Sequence, residues 1–273
     1  NFEVRRALPS RRKQMVGPFI FWDQMGPGDF LTGQGVDVRP HPHIGLSTVT
    51  YLFDGSIVHK DSLGNDLAIV PGDVNLMTAG SGIVHSERTS RDVRNGPSSL
   101  YGIQSWLAQP VKHEEGSPDF YHAGKEELPV FEDGGVRGRI ILGDFQGLSS
   151  PIATQWDTLY TDLHMDLGSR IQVPKLTEER ALYILRGCVE IAGISYPELQ
   201  LIVLRPGYDI FLEAKEDAHL MLLGGAAMDG PRYIFWNFVS SRQDRLEQAK
   251  EDWKARKFPI VPGDGKEFIP LPE

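Results

Sequence analysis

Residues 39–55 read RPHPHIGLSTVTYLFDG. From Leu46 to Phe53 the run is rich in β-branched and aromatic residues, and Asp54-Gly55 closes it as a turn. That is the pattern of a β-strand, and the chain repeats it. Of LSTVTYLF, VNLMTAG, RGRIIL, TLYTDLHMDL, ALYILRGCVEI, LQLIVLRPG and AHLMLLGG, most are short and bounded by Gly, Pro, Asn or Asp. With 29 glycines and 19 prolines as punctuation, these runs predict an all-β protein built from barrels or sandwiches.

A weak internal repeat suggests two such units. YLFDGSIVHKD (Tyr51–Asp61) is followed by IVPGDVNLM, and YILRGCVEIAG (Tyr183–Gly193) by IVLRPGYDIFL. Each half reads strand, charged residue plus Gly, strand, then a Pro-Gly turn into another strand. The polar stretch between Gly124 and Gly135 serves as the linker, giving domains 1–134 and 135–273. The second ends in a helix and tail: Ser240 and Ser241 are good N-cap residues, and Leu246, Ala249 and Trp253 follow at helical spacing.

The 273-residue chain carries a formal charge of −9, which disfavours contact with a phosphate backbone. No apolar run approaches a membrane span. The lone Cys188 allows no intrachain disulfide, which fits a cytoplasmic protein, and it reads as a buried strand residue. Neither a G-x-S-x-G nucleophile elbow nor a phosphate-binding Gly loop is present.

The chemistry returns to the opening stretch. Strand side chains alternate, so His41 and His43 share a face, with Cα atoms about 7 Å apart. Alone this is a weak signal. Downstream, PGDVNLMTAGSGIVHSE (Pro71–Glu87) carries His85 and Glu87 at the same spacing, after Gly80 and Gly82 that allow a tight turn. The two pairs supply three neutral nitrogens and one carboxylate, a set suited to a divalent Fe, Cu, Ni or Zn ion. The alternative is four polar residues on solvated strand faces. Histidines 164 and 219 read as isolated in apolar strands, and His59 as exposed. His113 and His122 read as part of a solvated loop with Glu114, Glu115 and Asp119.

HPHIGLSTVTYLFDG, HKDSLGN, PGDVNLMTAGSGIVHSE and GIQSWLAQP together resemble the pirin family of the cupin superfamily, most strongly over residues 17–110. The resemblance implies a bicupin, two antiparallel β-barrel domains with a metal in the first only. Carried over by position, the metal ligands are His41, His43, His85 and Glu87. Ser47 departs from the glutamate usual there, removing a charge near the site. In the second domain Arg170–Lys175 lies where an H-x-H would fall and has none, so no metal is expected there. Gln104 and Trp106 read as packing residues, as do Phe19, Phe21 and Trp22.

The implied activity is that of a quercetin 2,3-dioxygenase. A flavonol-like aromatic substrate is held through its 3-hydroxyl, Glu87 acts as the catalytic base, and O₂ opens the heterocycle with loss of carbon monoxide. The implied cofactor is one divalent transition metal, Fe(II) first, with Ni, Cu or Zn accepted by the same ligands. The alternative role is an iron-dependent redox sensor that acts on a protein partner, with no direct nucleic-acid or membrane contact. Two domains packed together suffice as a monomer.

Overall fold

The structure is a computed structural model, and it describes residues 2–273. It is built almost wholly of antiparallel strands, in two compact units. The first comprises residues 1–6, 21–125 and 229–273; the second comprises 7–20 and 126–228. Among the described residues, no helix is long and apolar enough to cross a membrane.

Among the described residues, ten strands belong to the first unit's sheets: β1 (Val4–Leu8), β2 (Phe19–Phe30), β3 (Asp37–His43), β4 (Leu46–Gly55), β5 (Ile57–Asp61), β6 (Asp66–Ile69), β7 (Val74–Thr78), β8 (Ile83–Arg88), β9 (Ser98–Ala108) and β10 (Asp119–Ala123), with a one-turn helix α1 (Arg91–Arg94) between β8 and β9. They form a six-stranded sheet in the order β1-β2-β9-β4-β7-β10 and a four-stranded sheet in the order β3-β8-β5-β6. Leu52 and Leu100 of the larger sheet pack with Ile57 and Ile69 of the smaller, so an apolar layer lies between them.

The second unit repeats this plan. β11 (Val130–Asp133), β12 (Val136–Leu142), β15 (Thr158–Met165), β17 (Glu179–Arg186), β20 (Leu201–Leu204) and β22 (Ala218–Gly225) make a sheet ordered β11-β12-β15-β22-β17-β20. β16 (Arg170–Val173), β18 (Cys188–Ile191), β19 (Ile194–Pro197) and β21 (Ile210–Ala214) make one ordered β16-β21-β18-β19. A small hairpin pairs β13 (Asp144–Phe145) with β14 (Leu148–Ser149). One core joins the two larger sheets, with Leu163, Leu182, Ile184, Leu220 and Leu222 on one side and Ile171, Val173, Val189 and Leu212 on the other. Cys188 is half-buried rather than buried.

The order β3-β8-β5-β6 matches β16-β21-β18-β19 strand for strand. The sequence repeat is therefore real, but its second half is offset by one strand. The turn before β21 corresponds to the turn before β8, whereas the Pro71-Gly72 turn precedes β7.

A break at residue 134 misplaces both ends of the chain. Residues 7–20 join the second unit, where the Glu179 carboxylate accepts bonds from Lys13 Nζ (2.8 Å) and Gly17 N (2.7 Å). Residues 229–273 return to the first unit. There β23 (Tyr233–Phe235), β24 (Phe238–Ser240) and the helix α2 (Gln243–Lys254) bury Phe238, Leu246, Ala249 and Trp253 against Ile44 and Val84. Gly45 makes this approach feasible: at φ +64° it sits where any Cβ would strike the Val239 carbonyl oxygen. The apolar face of α2 is the one its spacing predicts, but Ser241 does not cap it. The Ser241 amide and hydroxyl both donate to the Glu114 carboxylate, and Arg242 occupies the cap position without a side-chain capping bond.

Candidate metal centre

β3 pairs antiparallel with β8 and lies at the edge of its sheet. An edge strand tolerates the missing amide hydrogens of Pro40 and Pro42. The register places His41 opposite His85 and Val38 opposite Glu87, with a bulge between. The extra residue of the bulge lets both H-x-[HE] pairs face inward together.

His41, His43 and His85 are all buried, and their ring nitrogens lie within 4.8 Å of one another. Ring centroids are 5.0 Å apart for His41 and His43, 4.4 Å for His41 and His85, and 4.9 Å for His43 and His85. The Nε2 atoms of His43 and His85 meet at 3.0 Å. Glu87 completes a second group with His85 and His59. Its two carboxylate oxygens accept from Gln104 Nε2 at 2.9 and 3.0 Å. Gln104 lies on β9, in the opposite sheet, so it reaches across the unit's interior.

His59 is buried rather than exposed. Its Nε2 lies 3.1 Å from Asp61 Oδ2 and its Nδ1 3.4 Å from His85 Nδ1. Asp61 has no exposure and also accepts from the amides of Leu63 and Asn65 and from Asn65 Nδ2. Burial pushes its carboxyl up, but the bonds from His59 and Asn65 outweigh this and hold it below the ordinary range.

These contacts assign the tautomers of His41, His59 and His85. The Arg39 carbonyl, 2.9 Å from His41 Nδ1, can only accept, so that nitrogen carries the hydrogen and Nε2 keeps its lone pair. Asp61 takes the His59 Nε2 hydrogen, which leaves His59 Nδ1 to accept from His85 Nδ1. His85 Nε2 therefore also presents a lone pair. Burial lowers His41, His43 and His85 below the usual histidine range, the latter two well below it, with the neighbouring imidazoles adding to the effect. Three neutral imidazoles with converging nitrogens fit a divalent transition metal.

The surroundings are apolar on one side. Trp106 stands edge-on to His43, with centroids 5.3 Å apart, and stacks on Phe21 at 3.9 Å. Phe19, Phe21 and Trp22 are core residues, as the sequence predicts. The Ser47 hydroxyl is paired with Thr78 Oγ1 at 3.0 Å. The expected solvated loop is in part ordered structure: His122 sits in β10 with Nδ1 2.7 Å from Asn75 Oδ1, and Glu114 is buried.

In the second unit, β16 and β21 occupy the places of β3 and β8, and Ile171, Val173 and Leu212 fill that interior as core. Histidines 164 and 219 are not isolated, however. The β15–β22 register sets them directly opposite each other, next to Asp162.

Period-two spacing singles out His41, His43 and His85, which the structure brings together, and Glu87, which it groups with His85 and His59. Gln104 and the Asp61–His59 pair escaped sequence reasoning, although the H-x-D spacing of 59 and 61 was a visible signal.

The Pirin family profile matches residues 1–107, and the profile of the pirin C-terminal cupin domain matches residues 160–259. A pirin-like protein of Caulobacter vibrioides is 48% identical over 276 residues, covering 100% of this chain and 95% of that protein. The crystal structure of a quercetin 2,3-dioxygenase from Acinetobacter baumannii superposes with a TM-score of 0.91 at 32% identity, covering 99% of this chain and 90% of that one. A bacterial pirin from Escherichia coli, solved in complex with nickel(II), shares the fold with a TM-score of 0.65 at 18% identity, covering 83% and 93% of the two chains. Two matched family profiles over two cupin units, and a relative alike along the whole length, lead to one conclusion: the chain belongs to the pirin family.

Proposed function

We propose that this protein is a metal-dependent dioxygenase of flavonols, with His41, His43, His85 and Glu87 as the ligand set and Glu87 as the base. The observation that carries the reading is the convergence of three buried, neutral imidazoles beside a carboxylate held at both oxygens. Bound there, a divalent ion such as Fe(II) would supply Lewis acidity toward substrate and O₂. The likeness to a quercetin 2,3-dioxygenase supports the substrate class.

The chain's own residues then divide the work. His41, His43 and His85 would hold the ion, and the Asp61–His59 pair orients the His85 ring. Glu87 accepts the 3-hydroxyl proton of the flavonol, and Gln104 keeps its carboxylate aimed while that proton arrives. Trp106, backed by Phe21, is the aromatic residue beside His43 that a flat substrate would meet. Overall, flavonol and O₂ yield the ring-opened ester and carbon monoxide.

The test is quercetin turnover under air by the Fe(II)-loaded protein and by Glu87→Gln, with metal content assayed in both. The expected result is flavonol loss with carbon monoxide release by the native protein, and neither by Glu87→Gln that still holds metal. Metal-loaded native protein that leaves quercetin untouched, with Ni, Cu or Zn as with Fe, overturns the reading in favour of redox-dependent partner binding.

A further inference from the structure

The second unit carries a three-donor cluster of its own. Asp162 and His164 sit at i and i+2 on β15, and His219 lies opposite His164 on β22. All three donor atoms fall within 4.8 Å of one another. His219 Nε2 is 2.7 Å from Asp162 Oδ1 and His164 Nε2 is 3.5 Å from the same oxygen. The two rings stack with centroids 4.0 Å apart and 17° between planes, so the partly exposed His164 ring must turn for both Nε2 lone pairs to meet at one ion.

This repeats the construction of the first centre. There too, one strand supplies two donors at i and i+2 (His41 and His43), and its neighbour supplies a third from directly opposite (His85). The location, however, differs. In the first unit the donors stand on β3 and β8, whose counterparts are β16 and β21. The second cluster stands on β15 and β22, the counterparts of β2 and β9. It is therefore no relic of a duplicated centre.

We infer that Asp162, His164 and His219 form a second site for a late first-row divalent cation, of the Zn, Co, Ni or Cu type. Two imidazoles and one carboxylate match the preferences of these ions and not those of Mg or Ca, which favour all-oxygen shells. Asp162 and His219 are buried, whereas the His164 side chain is 39% exposed, so solvent would complete the coordination from that side. Cationic neighbours temper the affinity. Arg137 and Arg139 on β12 lie opposite His164 and Asp162, and Arg186 on β17 lies opposite His219. The second site therefore binds more weakly and exchanges faster than the first.

Cobalt(II) titration of the metal-free, full-length protein tests this, reading visible d–d absorption and bound stoichiometry. The expected result is a tight equivalent followed by a weaker, saturable one. His164→Ala removes the weaker equivalent and keeps the tight one, while His41→Ala/His43→Ala removes the tight one and keeps the weaker. Because His164 is partly exposed, its truncation leaves the fold intact, and circular dichroism verifies this. Asp162→Asn provides a second route if His164→Ala proves unstable. A single equivalent in the native protein, or a weaker equivalent that persists unchanged in the His164 and Asp162 variants, overturns the inference.

Discussion

At the scale of single residues, the decisive contact is one that no spacing rule reveals. Gln104 and Glu87 belong to different sheets, and only the closure of one sheet over the other brings the amide onto both carboxylate oxygens. A hydrogen bond to a charged group contributes about 1.5–3 kcal/mol. Gln104→Leu is therefore expected to lower kcat for flavonol by about 10- to 100-fold while the protein retains its metal. Steady-state kinetics beside metal analysis checks this, and unchanged kcat removes Gln104 from the machinery. What was legible at this scale was local. His41, His43, His85 and Glu87 are found because strand geometry turns i and i+2 to one face. His59 was read as exposed because its partner, Asp61, draws its strength from the Leu63–Asn65 turn, a loop contact that hydropathy does not register.

At the scale of elements, strands were legible and their partners were not. The β-branched runs mark the strands, but the repeat was aligned on a Pro-Gly turn that recurs at two different strand junctions. The start of α2 shows the same limit, since Ser241 has the chemistry of a cap yet is taken by Glu114. After α2 the chain is pinned to β8: Arg88 Nε donates to Asp264 Oδ2 at 2.7 Å and Ser86 Oγ at 2.8 Å. Burial pushes the Asp264 carboxyl up, but the bonds from Arg88 and Ser86 outweigh this and hold it below the ordinary range. A depressed carboxyl contributes stability above the unfolded value of about 3.9, and that stability is lost as pH falls through the folded value. Asp264→Asn is thus expected to be less stable than the native protein at pH 7, by about 1 kcal/mol after allowance for solvent screening. The difference should shrink to nothing in strong acid. Calorimetric Tm values across that pH range check it, and a gap that widens on acidification contradicts the assignment.

At the scale of the whole molecule, two cupin units were legible from the repeat, and their boundaries were not. The stripe of Leu246, Ala249 and Trp253 announces a buried face but not what buries it, because Ile44 and Val84 lie far away in sequence. The first unit thus depends on its third segment. Removal of residues 229–273 is expected to expose Ile44 and Val84 and, with Val239 gone, to free the carbonyl of Ile44 that holds the end of β3. The truncated chain should then bind no metal at His41, His43 and His85, as equilibrium dialysis would show; full binding would mean that β3 and β8 are held without the returning segment. The same threading sets an order of events during synthesis. All of the second unit has been made once residue 228 leaves the ribosome, while the first still waits for its last strands and helix. The half made first is therefore finished last, and the histidines of β3 spend most of translation without the wall that will enclose them.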